Sequence, residues 1–257
     1  MVIKNINLKN INDLVYFCIP SNKKNAPRFI LGAEEKRKWA LAILKKYGEV
    51  AKLAYANHKP VGMIQYQPDP KEKVVKIRCI FVPDKEYRRK GIGRSLLNSL
   101  LKDMHRPKAW LNNKLPLGLI TNAFETSAGY SQYLFYKQMG FITLNPKTKL
   151  LYYPLKKEYV YKPHTNRYKP IKEDENSCVI FFDPFCPYSL YFSTEIKNAI
   201  KEIAPILPIR LINKFEEPNE VIKRGNPPFC IINKKPIRTF ILDKNNFIKE
   251  VKKALDN

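Results

Sequence analysis

Residues 88–93 read Arg-Arg-Lys-Gly-Ile-Gly, and this short segment combines three cationic side chains with two glycines. It follows an apolar run at residues 80–82 that predicts a buried strand. It precedes residues 96–104, in which apolar side chains recur at helical spacing. A glycine-rich basic loop between a strand and a helix N-terminus suits phosphate binding, because main-chain N–H groups and the helix dipole point at an anion. The sequence therefore predicts a phosphate-binding loop at residues 88–93.

Two common phosphate-binding motifs do not fit this loop. A Walker A loop requires Gly-Lys-Ser/Thr after a second glycine, and that sequence is absent. The dinucleotide fingerprint requires a third glycine where this chain has Leu96. The remaining pattern, Arg/Gln-x-x-Gly-x-Gly/Ala, is matched by Arg88, Gly91 and Gly93. It resembles the coenzyme A pyrophosphate loop of the GCN5-related N-acetyltransferases, the GNAT superfamily.

The elements predicted around the loop have the order of the GNAT fold, an α/β (α+β) fold with a mixed sheet. They are a helix at 34–47, hairpin strands at 53–56 and 61–66, a strand at 74–82, a helix to about 105, a strand at 117–124, a helix at 127–139, and strands at 141–144 and 149–153. A second motif, Leu134 to Phe141, resembles the family's Leu-Tyr-x-x-x-Gly-Phe signature. The family often has Asn and Ala where this chain has Gly129 and Gln132, which leaves the usual polar contact to the cofactor open.

A second pattern covers residues 177–257, where the predicted order is strand, helix, strand, helix, two strands and helix. This is the minimal plan of a thioredoxin- or glutaredoxin-like domain. The turn Cys186-Pro-Tyr-Ser189 resembles the glutaredoxin Cys-Pro-Tyr-Cys with its second cysteine replaced, and Pro228 matches the family's cis-proline. The whole chain thus resembles YoaP-type acetyltransferases, with a GNAT domain at 1–156, a linker at 157–176 and a thioredoxin-like domain at 177–257.

The GNAT resemblance implies acetyl-CoA as co-substrate, a primary amine of a small molecule or peptide as acceptor, and direct acetyl transfer. The C-terminal domain would shape the acceptor site. The residues expected to bind the cofactor are Ile80, Phe81, Val82, Arg88, Arg89, Lys90, Gly91, Ile92, Gly93, Arg94 and Ser95. A backbone N–H near Phe81 or Val82 would polarise the thioester carbonyl.

Two catalytic roles are also implied by the GNAT resemblance. Tyr136 occupies the position of the acid that protonates the sulfur of coenzyme A, although a core tyrosine would fit the same pattern. Glu125 is the first candidate for the general base, and Asp84 and His58 are weaker ones. A water relay instead of a base is the alternative.

Cys186 is expected at a helix N-terminus, where the dipole lowers the pKa of a thiol. Because residue 189 is serine, a disulfide within the motif cannot form, and Cys230 would be the resolving thiol if it is not a core residue. This leaves three interpretations of the domain: a thiol-based substrate or glutathione site, a redox sensor, and a degenerate module that shapes the acceptor pocket. The last of these ranks slightly ahead.

Composition limits the remaining classes. The net charge of +24 is concentrated in residues 1–177, which carry +20. A positive field of this kind would steer coenzyme A to its site and favour an anionic acceptor. A generally basic protein surface explains the same charge equally well. Five scattered cysteines predict a reducing cytoplasmic location, and no metal-ligand cluster, membrane span or signal peptide is visible. The alternatives are a redox-responsive partner-binding protein centred on Cys186 and a basic nucleic-acid-binding protein, the latter supported only by a weak basic and aromatic pattern in the linker. The sequence does not indicate an oligomeric state.

Overall fold

A computed structural model describes residues 1–124, 131–163 and 167–256. Its contacts divide the chain into two units, one of residues 1–17 and 40–163 and the other of residues 18–39 and 164–257. Residues 18–39, which belong to the predicted N-terminal domain by sequence position, thus group with the C-terminal part of the chain.

The first unit is built on a seven-stranded mixed sheet with the order β1-β2-β3-β4-β5-β7-β6. Its strands are β1 Val2–Asn5, β2 Ala51–Ala56, β3 Lys59–Asp69, β4 Val74–Phe81, β5 Gly118–Asn122, β6 Ile142–Asn145 and β7 Leu150–Pro154. Only β4 and β5 pair in parallel, and all other neighbours are antiparallel. This arrangement confirms a mixed α/β fold for the first unit.

The helices of this part of the chain are α1 Ile11–Tyr16, α2 Pro27–Tyr47, α3 Ile92–Met104 and α4 Gln132–Gln138. Helix α3 buries Leu96, Leu97, Leu100 and Met104 completely against the sheet. A buried leucine or methionine side chain contributes about 1.5–3 kcal/mol. This apolar face therefore fixes the helix, and with it the loop that precedes the helix.

The parallel pairing of β4 with β5 stops early and opens the sheet. It runs from Val74 opposite Gly118 to Ile77 opposite Thr121. On its other side, β4 carries one extra residue at the same level, because Ile77 lies opposite Tyr66 while Cys79 lies opposite Gln65. Such a bulge bends a strand and increases its twist. Among the described strands, none pairs with this side of β4 beyond Ile77, and this stretch is called the free edge of β4.

The second unit has a four-stranded sheet with the order β11-β10-β8-β9, in which only β8 and β9 are parallel. Its elements after residue 167 are β8 Cys178–Phe182, α5 Pro187–Ile203, β9 Ile209–Asn213, α6 Pro218–Lys223, β10 Cys230–Ile232, β11 Lys235–Ile237 and α7 Lys244–Leu255. The element order agrees with the sequence prediction. The assignment of this unit to the thioredoxin-like class stays a prediction.

The segment predicted as a linker is held to the second unit by a buried ion pair. Asp174 and Arg224 are both almost completely buried, and the Arg224 guanidinium donates from Nε and Nη2 to the Asp174 carboxylate at 2.6–3.0 Å. Arg224 also donates to Glu220, and its guanidinium lies over the Phe181 ring. Residues near Asp174 are therefore part of the packed unit.

Several boundaries differ from the sequence predictions. Strand β1 and helix α1 were not predicted, because four and six residues are too few to show a period. Helix α2 begins at Pro27, seven residues before the predicted start at 34. The second strand of the last hairpin ends at Ile237 rather than 242, because the next two N–H groups donate to the Glu250 carboxylate instead of continuing a ladder.

Among the described helices, none has the length and apolar character that crossing a membrane requires. Within the same residues, no cluster of three or more His, Cys, Asp or Glu side chains is arranged to hold a metal ion.

Candidate cofactor-binding and active site

The loop between β4 and α3 has the backbone conformation that its glycines predict. Arg89 and Gly91 both lie in the left-handed region, with φ of 59° and 76°. Gly91 caps α3, and the first N–H to bond back is that of Ser95, which donates to the Gly91 carbonyl at 2.9 Å. The amides ahead of Ser95 at the start of α3 have no partner inside the helix. They are free to bind an anion at this point.

The surroundings of the loop leave room for a bound anion. A Cβ atom added to Gly91 would meet nothing within 4 Å, so the backbone at Gly91 is open to solvent. Arg89, Lys90 and Arg94 are exposed. The loop thus combines accessible main-chain amides with three mobile cations.

Arg88 has a different role from that of its neighbours. Its guanidinium donates from Nε to the Val82 carbonyl at 3.1 Å and from Nη2 to the Pro83 carbonyl at 2.6 Å. The side chain therefore ties the loop to the end of β4. It positions the loop, while Arg89, Lys90 and Arg94 carry the exposed charge.

A cavity of about 120 Å³ lies where β4 has left β5. Its lining residues are Ile80, Phe81, Val82, Gly93, Gln132 and Phe135. Four of these six residues are in the cofactor set predicted from the sequence. Gly93 belongs to the phosphate-binding loop and also lines this cavity, so the loop and the cavity are continuous.

Gln132 and Phe135 are the two lining residues that the sequence prediction did not include, and Gln132 is the polar one. Its Nε2 donates to the Ile80 carbonyl at 3.3 Å, and its Oε1 accepts from the Phe124 N–H at 3.4 Å. The side chain amide thus joins β4 to the chain that follows β5, across the opening. The only sequence signal was that glutamine replaces the small residue which the GNAT family often has at this place.

Tyr136 lies behind the cavity in the core of the first unit and is 1% exposed. The Thr121 side chain and Cys79 both lie close enough to its hydroxyl to affect its pKa. Burial raises the pKa of Tyr136 far above its ordinary value, so the group is fully protonated at neutral pH. A protonated phenol between β4 and β5 can donate a proton, but it cannot act as a base.

Of the candidates for the general base, neither Asp84 nor His58 lines the cavity beside β4. Glu125 lies outside the described residues. Asp84 is exposed in the loop after β4, and His58 is exposed in the turn between β2 and β3. His58 lines a shallow polar basin of about 600 Å³ with Lys4, Lys9, Asp13 and Tyr55, on the β1 edge of the sheet.

In the second unit, Cys186 lies at a helix N-terminus as predicted, but the pKa of its thiol is not lowered as predicted. Cys186 does cap α5, with Pro187 as the first helical residue. Burial nevertheless raises the pKa of the thiol, and it outweighs the lowering by Lys36 and by the N–H groups of Tyr188 and Ser189. The expected low pKa is therefore wrong, because the helix N-terminus is covered.

The cis-proline expected at Pro228 is also wrong, and of the two alternatives for Cys230 the core position is the one observed. The described residues contain no cis peptide bond, so Pro228 is not a cis-proline. A left-handed Gly225, with φ of 72°, reverses the chain before Pro228, and the trans bond is the lower in energy. Cys230 is completely buried on β10, with its Sγ 3.9 Å from that of Cys178. It is a core residue and not a resolving thiol.

The comparisons with known proteins agree with the first unit. Residues 49–143 match the family model described as an acetyltransferase (GNAT) domain. The match contains β4, the loop, α3 and Tyr136. No curated protein matches the sequence.

Solved structures of other proteins are similar to the chain. A GNAT-family acetyltransferase of Staphylococcus aureus Mu50 is 21% identical over 60% of this chain and 99% of its own, with a TM-score of 0.43. A Brucella melitensis GNAT-family acetyltransferase in complex with acetyl-CoA is 13% identical over 62% of this chain and 90% of its own, with a TM-score of 0.40. A Pyrococcus horikoshii protein is 21% identical over 55% of this chain, which spans only 43% of that protein (TM-score 0.40).

Proposed function

We propose that the protein is an N-acetyltransferase that moves an acetyl group directly from acetyl-CoA to a primary amine of a small molecule or peptide. The observation that supports this most strongly is the loop at residues 88–93. Its accessible amides lie at the start of α3, beside the free edge of β4, within a stretch that matches a GNAT domain. Acetyl-CoA would supply the acetyl group as an activated thioester.

Residues of this chain would hold the cofactor at two places. The amides of Gly91, Ile92 and Gly93 would donate to the diphosphate, with Arg89, Lys90 and Arg94 adding charge. The free edge of β4 at Ile80, Phe81 and Val82 would pair with the amide groups of the pantetheine arm, as an added strand pairs with a sheet edge. The Gln132 amide already donates to the Ile80 carbonyl. We therefore expect the Gln132 side chain to move away, or to bridge this carbonyl and the pantetheine arm, when the arm binds.

Three chemical tasks remain for the chain itself. An N–H of Phe81 or Val82 would polarise the thioester carbonyl. Tyr136, which is protonated at neutral pH, would donate its proton to the departing sulfur. Glu125 is proposed as the base that deprotonates the amine. The expected contribution of the C-terminal domain to the acceptor site stays a prediction.

The basic character of the first 177 residues favours an anionic acceptor by long-range attraction. An acceptor screen with acetyl-CoA, read as release of free coenzyme A thiol, tests the proposal. We expect at least one amine to give turnover in the wild type that is strongly reduced in Tyr136→Phe. A Cys186→Ser protein is the control, because a protein thiol could react with the detection reagent. Failure of all amines, in a protein that also fails to bind coenzyme A, would contradict the proposal.

A further inference from the structure

The Gln132 side chain completes the free edge of β4 in the way that a neighbouring strand would. Among the described strands, none pairs with this edge beyond Ile77. The Ile80 carbonyl instead accepts from Gln132 Nε2 at 3.3 Å, and Gln132 Oε1 accepts from the Phe124 N–H at 3.4 Å, just after β5. One primary amide thus supplies a donor to one strand and an acceptor to the chain after the other, as the peptide group of an intervening strand would.

The pantetheine arm of coenzyme A offers the same chemical groups to the same place. The arm contains two amides, and each has an N–H donor and a carbonyl acceptor. The cavity beside the free edge has a volume of about 120 Å³, and Gln132 is one of its lining residues. Pockets that enclose small ligands measure roughly 300–1,000 Å³. The arm therefore requires the room that the Gln132 side chain occupies, although a carbonyl oxygen could accept from two donors.

Gln132 can leave this place without a change in the fold. It is the first residue of α4, and the helix start is held separately, because the Ser131 hydroxyl accepts from the Leu134 N–H at 3.2 Å. The side chain is half-buried, and its unbranched stem can change rotamer while the helix stays in position. Its two hydrogen bonds are longer than the usual 2.7–3.2 Å, so each is weak. Displacement therefore costs little.

We propose that Gln132 is a specificity-determining residue of the cofactor site: its amide holds the place of the pantetheine arm in the free protein and is displaced when the arm binds. This inference rests on the proposed function. A ligand that occupies only the phosphate-binding loop leaves both Gln132 hydrogen bonds intact. An arm without an N–H group would displace Gln132 and leave the Ile80 carbonyl without a donor, so the site prefers an arm that carries amides.

Calorimetric titration of the full-length protein with two probes tests this proposal. Coenzyme A carries the arm, and 3′-phosphoadenosine 5′-diphosphate carries the phosphates of the nucleotide without it. Gln132→Ala removes both hydrogen bonds and the bulk of the side chain, whereas Gln132→Met removes the bonds and keeps a side chain of similar length. Gln138→Ala, which changes an exposed glutamine at the other end of α4, is the matched control.

Both Gln132 variants should bind coenzyme A about five- to tenfold more tightly than the wild type, since two weak hydrogen bonds no longer have to be broken. Their affinity for 3′-phosphoadenosine 5′-diphosphate should equal that of the wild type. The Gln138→Ala protein should bind both probes as the wild type does. A general change in the loop or in stability would alter the affinities for both probes together.

Four results would contradict the inference. Weaker binding of coenzyme A by Gln132→Ala would show that the amide bridges to the arm, and equal binding would show that it does not compete; both would leave the proposed function intact. Tighter binding by Gln132→Ala but not by Gln132→Met would assign the effect to volume rather than to hydrogen bonds. Failure of every protein, the wild type included, to bind coenzyme A would contradict the proposed function and the inference with it.

A measurement on the wild type alone avoids any dependence on how the variants fold. Release of Gln132 would take the acceptor away from the Phe124 N–H, which belongs to an exposed residue. Saturation with coenzyme A should therefore accelerate amide exchange at Phe124, measured by NMR, while exchange at residues 80–82 slows. The probe without the arm should leave exchange at Phe124 unchanged. Unchanged or slower exchange at Phe124 in the presence of coenzyme A would overturn the displacement.

Discussion

Replacing Gly91 by Glu or by Gln separates the two contributions that the phosphate-binding loop makes. Both side chains have the same shape, and both must adopt the left-handed φ of 76°, at a cost of about 1–2 kcal/mol. Because no atom lies within 4 Å of the added Cβ, neither variant clashes. We therefore expect the same modest loss of stability in both proteins.

Their affinities for coenzyme A should differ. A carboxylate about 4 Å from a phosphate charge costs about 1 kcal/mol in water and about 4 kcal/mol at an effective dielectric of 20. The loop is exposed, so we take values near the lower limit for each of the two diphosphate charges, about 2–3 kcal/mol in total. Gly91→Glu should then bind about 30- to 150-fold more weakly than Gly91→Gln.

Isothermal titration calorimetry with coenzyme A measures this difference directly. The difference between the two variants should shrink in high salt, because the screening length falls from about 10 Å at 0.1 M to about 3 Å at 1 M. Equal affinities of the Glu and Gln variants at low salt would refute the proposed position of the diphosphate. A difference that does not change with salt would refute its electrostatic cause.

Three further predictions concern the proposed general acid Tyr136, the buried ion pair of Asp174 and Arg224, and the loss of stability at low pH through Glu220. Tyr136→Phe should leave coenzyme A affinity unchanged while the turnover number falls about 10²- to 10⁴-fold, and single-turnover kinetics at wild-type rate would contradict the acid role. Asp174→Ala should lower the free energy of unfolding by up to about 3–5 kcal/mol in urea titrations, because the buried Arg224 would lose its buried carboxylate and keep only Glu220; an effect as small as that of an exposed ion pair would contradict this. Burial disfavours the charged form of Glu220, yet hydrogen bonds from Lys223 and Arg224 and the charge of Arg210 lower its pKa to about 2. The ionised Glu220 carboxylate therefore stabilises the fold fully above its ordinary pKa of about 4.5, and this stabilisation is lost as the pH falls towards 2. Glu220→Gln should make the free energy of unfolding fall less steeply between pH 4.5 and 2. An unchanged fall would contradict this prediction.

The sequence was sufficient for those elements whose side chains follow a regular period. The leucines of α3 and the alternation of β2 and β3 reveal their elements, and the glycines of the loop reveal the turn between β4 and α3. Two motifs in the correct order then identify the GNAT domain, which the match of residues 49–143 supports.

Other features depend on distances between residues remote in sequence. Gln132 joins the two separated strands only because a bulge at Arg78 bends β4 away from β5. Gly32 precedes Pro187 by 155 residues, and no local pattern indicates that the two pack together. Similarly, the low pKa expected for Cys186 was wrong because local sequence reveals the helix N-terminus but not the segment that buries it.

Hydrogen exchange with and without coenzyme A tests the proposed binding site most directly. At saturating coenzyme A, mass spectrometry of the wild-type protein should show slower amide exchange at residues 88–95 and at residues 80–82 on the edge of β4. The opposite edge of the sheet at β1 should be unchanged. Binding that leaves exchange at residues 88–95 unaltered would show that the loop does not hold the diphosphate, and would contradict the account.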